Sequence, residues 1–172
     1  MDRLAHARMF AAYNSWANRR LYDAAGRLPD EEYRADRGAF FKSLHGTLSH
    51  LLVTDRIWMQ RFTGEGEAAA RLDAAPLDRL ADLRDAREVE DRRIEAYAAG
   101  LTDADLDRTI RYRRVSSPEE IVQPLGPALA HVFNHQTHHR GQAHCILTGL
   151  GTDAPPLDLL FFQRETGIGS GG

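Results

Sequence analysis

The chain has 172 residues, with 22 Lys and Arg against 25 Asp and Glu and a formal net charge of -3 at pH 7. That length suits one domain with a core large enough to need no covalent staple. The weak negative charge supplies no broad attraction toward phosphate, which argues against a nucleic-acid duplex or an anionic membrane as partner. A lone Cys145 cannot close an internal disulfide, and MDRLAHARMF lacks a basic region followed by an apolar run. Charges interrupt every apolar stretch before the roughly 20 residues a bilayer crossing requires. These features predict a soluble cytoplasmic protein.

From about Asp2 to Ala25, Leu4, Met9, Phe10, Tyr13, Trp16, Ala17, Leu21 and Tyr22 recur at three- and four-residue steps before Gly26. The spacing predicts a first amphipathic helix. After a turn through LPDEE, a second periodic run from about Phe40 to Phe62 carries Leu44, Leu48, Leu51, Ile57 and Trp58 and stops before TGEG. A third helix is expected over about Leu77 to Ala99, after Pro76, with Leu77, Leu80, Leu83, Val89 or Ala86, and Ile94 or Tyr97 in one stripe. Its arginines, 79, 84, 87, 92 and 93, alternate with Asp78, Asp82, Asp85, Glu88, Glu90 and Asp91, which reads as an exposed, salt-bridged face and not as a base-reading helix.

TIRYRRVSSPEEIVQPLG breaks the helical period, and the alternation of Ile110, Tyr112 and Val115 suits a short extended or hairpin-like excursion. A fourth long helix begins near Leu125, after Pro124, and runs to Leu150, where Gly151 and the prolines of GTDAPP end it. PPLDLLFFQRE suggests a short closing helix. The expected architecture is therefore all-α: a four-helix bundle in residues 1–166, followed by a flexible tail at 167–172.

The fourth helix holds half of the eight histidines within HVFNHQTHHRGQ. At about 100° per residue, Ala128, Val132, His135, His139, Gln142, Ala143 and Ile146 fall in one inward arc. His131 and His138 lie at its edge, and His144 lies on the far side with Arg140. Imidazoles four residues apart project from successive turns toward one point, the spacing that lets two histidines share a divalent ion. On the second helix His50 stands at the margin of the apolar arc, beside Thr54, while His45 points away, so His50 is the best third ligand. Taken singly, each histidine is more readily a hydrogen-bonded core residue. Taken together, several imidazoles meeting in an apolar interior need partners that one metal ion would supply.

LSHLLVTDRIWMQR, with His50, Asp55 and Trp58, and HVFNHQTHHRGQ some eighty residues later closely resemble the DinB family of small bacterial proteins. MFAAYNSWANRRLYDAA and LTGLGTDAPPLDLLFFQRE are similar to that family's two ends, so the resemblance covers nearly the whole chain. It implies a four-helix bundle with long crossover connections, related to metal-dependent thiol transferases and isomerases, with three histidines on helices two and four as the usual site. Those histidines correspond to His50, His135 and His139. It also implies frequent homodimers, for which the sequence adds only Phe133 on the outward face of helix four. The family name refers to induction by DNA damage, which concerns when a member is made and implies no contact with DNA.

Three imidazoles leave a divalent ion with an open position, the arrangement of a catalytic site. Zinc is the first choice and nickel the second, with iron or manganese behind them. Two chemistries follow: a metal-activated water acting as hydrolase nucleophile, or activation of a low-molecular-weight thiol for transfer to an electrophile. The hydrolase needs a general base and none stands out. Asp55 lies about 140° around the helix from His50 and is expected to cap a network or meet solvent. Gln142 is a candidate to hydrogen-bond a bound water or ligand. For a thiol pocket, TGEGEAAARLDAAP and RYRRVSSPEEIVQP can form the rim. Arg111, Arg113 and Arg114 there suit carboxylates, although a solvated strand edge is the plainer reading. Cys145 lies roughly 80° or more from the ligand arc and is read as a packing residue. A third alternative is a metal-binding, stress-associated module without turnover. Catalytic and cofactor-binding residues, like the substrate, stay unassigned.

Overall fold

The computed structural model of the protein describes residues 1–67, 69, 71–115 and 117–168. Four long helices, α1 (Arg3–Ala25), α3 (Leu44–Thr63), α4 (Leu80–Gly100) and α6 (Leu125–Gly149), form the bundle. Three short helices, α2 (Asp30–Arg34), α5 (Asp103–Asp107) and α7 (Leu159–Thr166), accompany them. A single antiparallel hairpin, β1 (Thr109–Arg114) and β2 (Ser117–Pro124), fills the expected extended excursion. Each of α1 and α3 packs against both α4 and α6, so consecutive long helices α1 and α3 sit on a diagonal, as do α4 and α6. The long connections are what allow those diagonals. No helix among the described residues is long and apolar enough to cross a membrane.

Capping chemistry sets the helix starts. The Asp2 carboxylate accepts from the Ala5 N–H at 2.7 Å, and the Ser43 hydroxyl from Gly46 N–H at 3.0 Å. The second long helix therefore begins at Leu44, not at Phe40: residues 39–42 form a tight turn closed by an Ala39–Lys42 bridge, with Lys42 at φ +67°. That turn lies against the first turn of α3, where a Cβ at Gly46 would collide with the Phe41 carbonyl. The third long helix starts at Leu80, three residues later than the apolar stripe suggested. The short helix α2 lies partly within the stretch LPDEE read as a turn, and α5, between the third helix and the hairpin, begins with a Thr102–Asp105 capping box. Of the tail expected at 167–172, residues 169 onward lie outside the described residues; Gly167, at φ +72°, ends α7.

The apolar core has two main parts, besides a smaller cluster of Met9, Tyr13, Trp16, Ala17 and Phe162 that docks α7 on α1. One gathers Ala11, Trp58, Phe62, Ile94, Leu129 and Phe133, and the other Leu21, Leu48, Leu52, Leu83, Ala143 and Leu147. Between them in the sequence of every long helix comes a buried polar position: Asn14 and Asn18, Asp55, Arg87 and Asp91, Gln136 and Arg140. These make a layer across the bundle. The Arg87 guanidinium bonds Asp55 at 2.7 Å and pairs with Asp91 at 3.1 Å. Asn14 and Asn18 each donate to Asp91 at 3.0 Å, and Arg140 donates to Asn14 while its guanidinium covers the Tyr13 ring. Burial opposes the Arg87 charge, but Asp91 and Asp55 outweigh it and hold its pKa above the ordinary value.

This layer corrects several sequence readings. Asp55 does not meet solvent; it is 1 % exposed and belongs to a buried network through Arg87, the other of the two expected roles. Arg87, Glu90 and Asp91 are buried, so only part of the α4 charge pattern is a surface face, and Val89, a stripe candidate, is 54 % exposed. Arg140 is buried instead of facing outward. Phe133 is buried too, stacked on Phe10 at 5.6 Å, which removes the sequence support for a dimer surface on α6. The reason is common to all: each long helix packs on two neighbours, which widens its buried arc beyond a single apolar stripe.

Candidate metal centre

The Ser43 cap starts α3 so that His50 falls in its second turn, facing α6. On α6, His135 and His139 occupy successive turns. Ring centroids are 4.3 Å apart for His135 and His139, 4.5 Å for His50 and His139, and 5.3 Å for His50 and His135. One ring nitrogen from each lies within 4.8 Å of the others, a group that could hold a metal ion. No aspartate, glutamate or cysteine joins this group among the described residues.

Two of the three rings are oriented from outside the group. His50 Nδ1 lies 2.7 Å from the Leu72 carbonyl, and His139 Nδ1 lies 2.7 Å from the Gln142 side-chain oxygen. An oxygen of either kind only accepts, so Nδ1 carries the proton in both and Nε2 keeps its lone pair. His50 Nε2 is buried and has no hydrogen-bond partner among the described residues. Burial lowers the His50 pKa to about 4; burial and the neighbouring histidines lower that of His135 to about 3, and burial pulls His139 down as well. At neutral pH the rings are uncharged, the form that binds metals. An orphaned lone pair facing two further imidazoles, with protons fixed on the far side, fits a borderline divalent cation.

Phe41 covers one side, stacked on His50 at a centroid distance of 3.7 Å and a tilt of 19°, with its edge toward His139. Neither Phe41 nor the Leu72 carbonyl stood out in the sequence. Phe41 sat inside the expected second helix, and a backbone carbonyl in a loop leaves no residue-type signal. His131 contacts His135 and Trp58, and His138 contacts His139, but neither ring joins the group. His45 turns away to the Tyr33 hydroxyl, 3.0 Å distant. Cys145 is exposed and lies outside the group, along a groove that Gln142 and Arg37 also line.

The structure is thus an α-helical bundle in which two facing long helices bring three neutral histidines into one potential metal-holding group. The chain belongs to the DinB family, whose model matches residues 1–170. It is 29% identical over 160 residues to "Protein DinB" of Bacillus subtilis (strain 168), covering 90% of this chain and 92% of that protein. The fold is similar to that of the crystal structure of a DinB-like protein from Bacillus cereus ATCC 10987, at a TM-score of 0.62 and 20% identity, covering 84% of this chain and 91% of that one.

Proposed function

We propose that His50, His135 and His139 bind one divalent metal ion with a position left open, and that the protein is a metal-dependent enzyme acting on a low-molecular-weight thiol. The observation that carries this is the buried, unpartnered Nε2 of His50 facing the other two neutral imidazoles. Zinc is the preferred ion and nickel the next, because an all-imidazole donor set suits both. A bound divalent ion would supply Lewis acidity, lowering the pKa of a thiol brought to it.

The protein's own contribution is orientation and exclusion of water. The Leu72 carbonyl and Gln142 hold two imidazoles in the tautomer that leaves Nε2 available, and Phe41 shields one face. Transfer from a thiol is favoured over hydrolysis because, among the described residues, no carboxylate joins the histidine group, and a hydrolase would need a general base there. Asp55, the nearest acid to His50 along α3, is committed to Arg87. A homodimer and a cytoplasmic location belong to this reading on family likeness and composition alone.

Elemental analysis tests it, using protein purified without affinity metal or chelator beside the triple variant His50→Ala, His135→Ala, His139→Ala. Near-stoichiometric metal in the native protein and none in the variant supports the site. A native protein that holds no metal and takes up neither added zinc nor added nickel overturns it.

A further inference from the structure

A second feature of the same side of the bundle lies beyond the histidines. From His135 the ring contacts continue through His131 to Trp58 at 5.9 and 5.2 Å, and from Trp58 to Tyr112 of β1 at 5.1 Å. Arg61, one turn beyond Trp58, ends this aromatic series, its guanidinium 4.5 Å from the Trp58 ring centroid and 4.4 Å from that of Tyr112. Tyr112 is itself fixed by a hydrogen bond from Gln123 to its hydroxyl. A cavity of about 380 Å³ opens here between the C-terminal turn of α3 and the hairpin, lined by Arg61, Arg111 and Arg113 with Gln60, Tyr112 and Gly64 among the other residues, and by no acid.

Arg61 is held ready and left uncompensated. Among the described residues its one hydrogen bond runs from Nη2 to the Arg113 carbonyl at 2.9 Å, which leaves most of its five N–H donors to other partners. No carboxylate lies within 4 Å of it among the described residues, and Arg111 has only a marginal pair with Glu120 at 4.0 Å, both side chains exposed. Burial pulls the Arg61 pKa down, with only Tyr112 opposing. Elsewhere in the bundle the half-buried or buried arginines 84, 87 and 93 each have a carboxylate partner, and the buried Arg140 is bonded instead to the side chains of Asn14 and Thr137. Three arginines around a concave space, one of them packed against two rings and lacking an acid, form a receptor for a small oxyanion.

We propose that the cavity lined by Arg61, Arg111 and Arg113 is an anion-binding site that takes the carboxylate or phosphate of a small molecule. The site stands on these arginines and is independent of the metal-dependent reading given above. The cavity is concave and the chain carries a net negative charge, which favours a small ligand over a nucleic-acid backbone.

Isothermal titration calorimetry of the zinc-loaded protein at low ionic strength, with malonate in one arm and inorganic phosphate in the other, tests it. Saturable one-to-one binding of at least one anion is expected, the tighter of the two naming the headgroup. Added salt should weaken it. It should fall roughly tenfold or more in Arg61→Met and in the double variant Arg111→Gln, Arg113→Gln, whose changes sit on the exposed hairpin and spare the core. The triple histidine variant should bind the same anion with native affinity, which separates the site from the metal centre. Absence of saturable binding to the native protein, native affinity in both arginine variants, or loss of binding in the histidine variant alone would each overturn the proposal.

Discussion

The bundle buries two polar assemblies, and they solve the cost of burial in opposite ways. In the layer across its middle, Arg87 is set between Asp55 and Asp91, and the asparagines of α1 close much of the remaining hydrogen bonding. Positive charge meets negative, Arg87 and Arg140 against Asp55 and Asp91, although Arg140 Nε and the Gln136 amide have no hydrogen-bond partner among the described residues. In the histidine group, the Nδ1 protons of His50 and His139 point outward to Leu72 and Gln142, leaving their Nε2 lone pairs beside the neutral ring of His135 with no charge among the three. A buried assembly that balances its own charge needs no ion, whereas neutral imidazoles gathered with free lone pairs make a site for a cation. The difference separates a structural role from a binding role within one helix, since α6 contributes Arg140 to the first and His139, its immediate neighbour, to the second.

Breaking the balance of the layer should have the largest effect. Arg87→Ala leaves two aspartates buried without their cation and should cost about 3–5 kcal/mol in urea denaturation. A loss below about 1 kcal/mol would show that the layer is hydrated and not self-contained. The histidine group should respond in the other direction to what is added. Zinc at a hundredfold over its dissociation constant should stabilise the native protein by about 2.7 kcal/mol and leave the triple histidine variant unmoved in a thermal melt.

Outer contacts should matter less. Gln142→Ala removes the acceptor that orients His139 and should weaken zinc affinity about 10- to 100-fold, read by competition with a chelator, with little change in the stability of the metal-free protein. The mildest test is pH. His50 and His135 have folded pKa values of about 4 and 3, below the ordinary 6.5, so the unfolded chain binds more protons between those limits. Their contribution to metal-free stability is therefore complete above about pH 6.5 and declines as pH falls toward 4 and 3. Between pH 6.5 and 5, above most carboxylate titration, the native protein should lose stability more steeply than His135→Ala. Equal slopes would mean the rings are not held neutral by burial.

Much of the fold was legible because its elements announce themselves locally. The three- and four-residue apolar spacing of α1, α3, α4 and α6 located the long helices, and the prolines and alternation between Arg108 and Leu125 marked the hairpin. Boundaries were less clear where a turn carries helix-compatible residues. Phe40 and Phe41 continue the apolar pattern of α3 yet belong to the turn before Ser43, and Phe40 ends 82 % exposed. Charged positions were the least legible: Arg87, Asp91 and Arg140 look like surface residues singly, and their partners lie on other helices.

What the sequence determined by itself was whatever depends on neighbours within a few residues: helix periodicity, caps, and the shared direction of His135 and His139. The tertiary structure decided which polar residues meet across helices. It brought His50 to that pair, laid Phe41 over it, aimed the Leu72 carbonyl at its far nitrogen, and drew Asp55 and Arg140 inward, because a helix packed on two neighbours buries more of its circumference than its apolar stripe reveals.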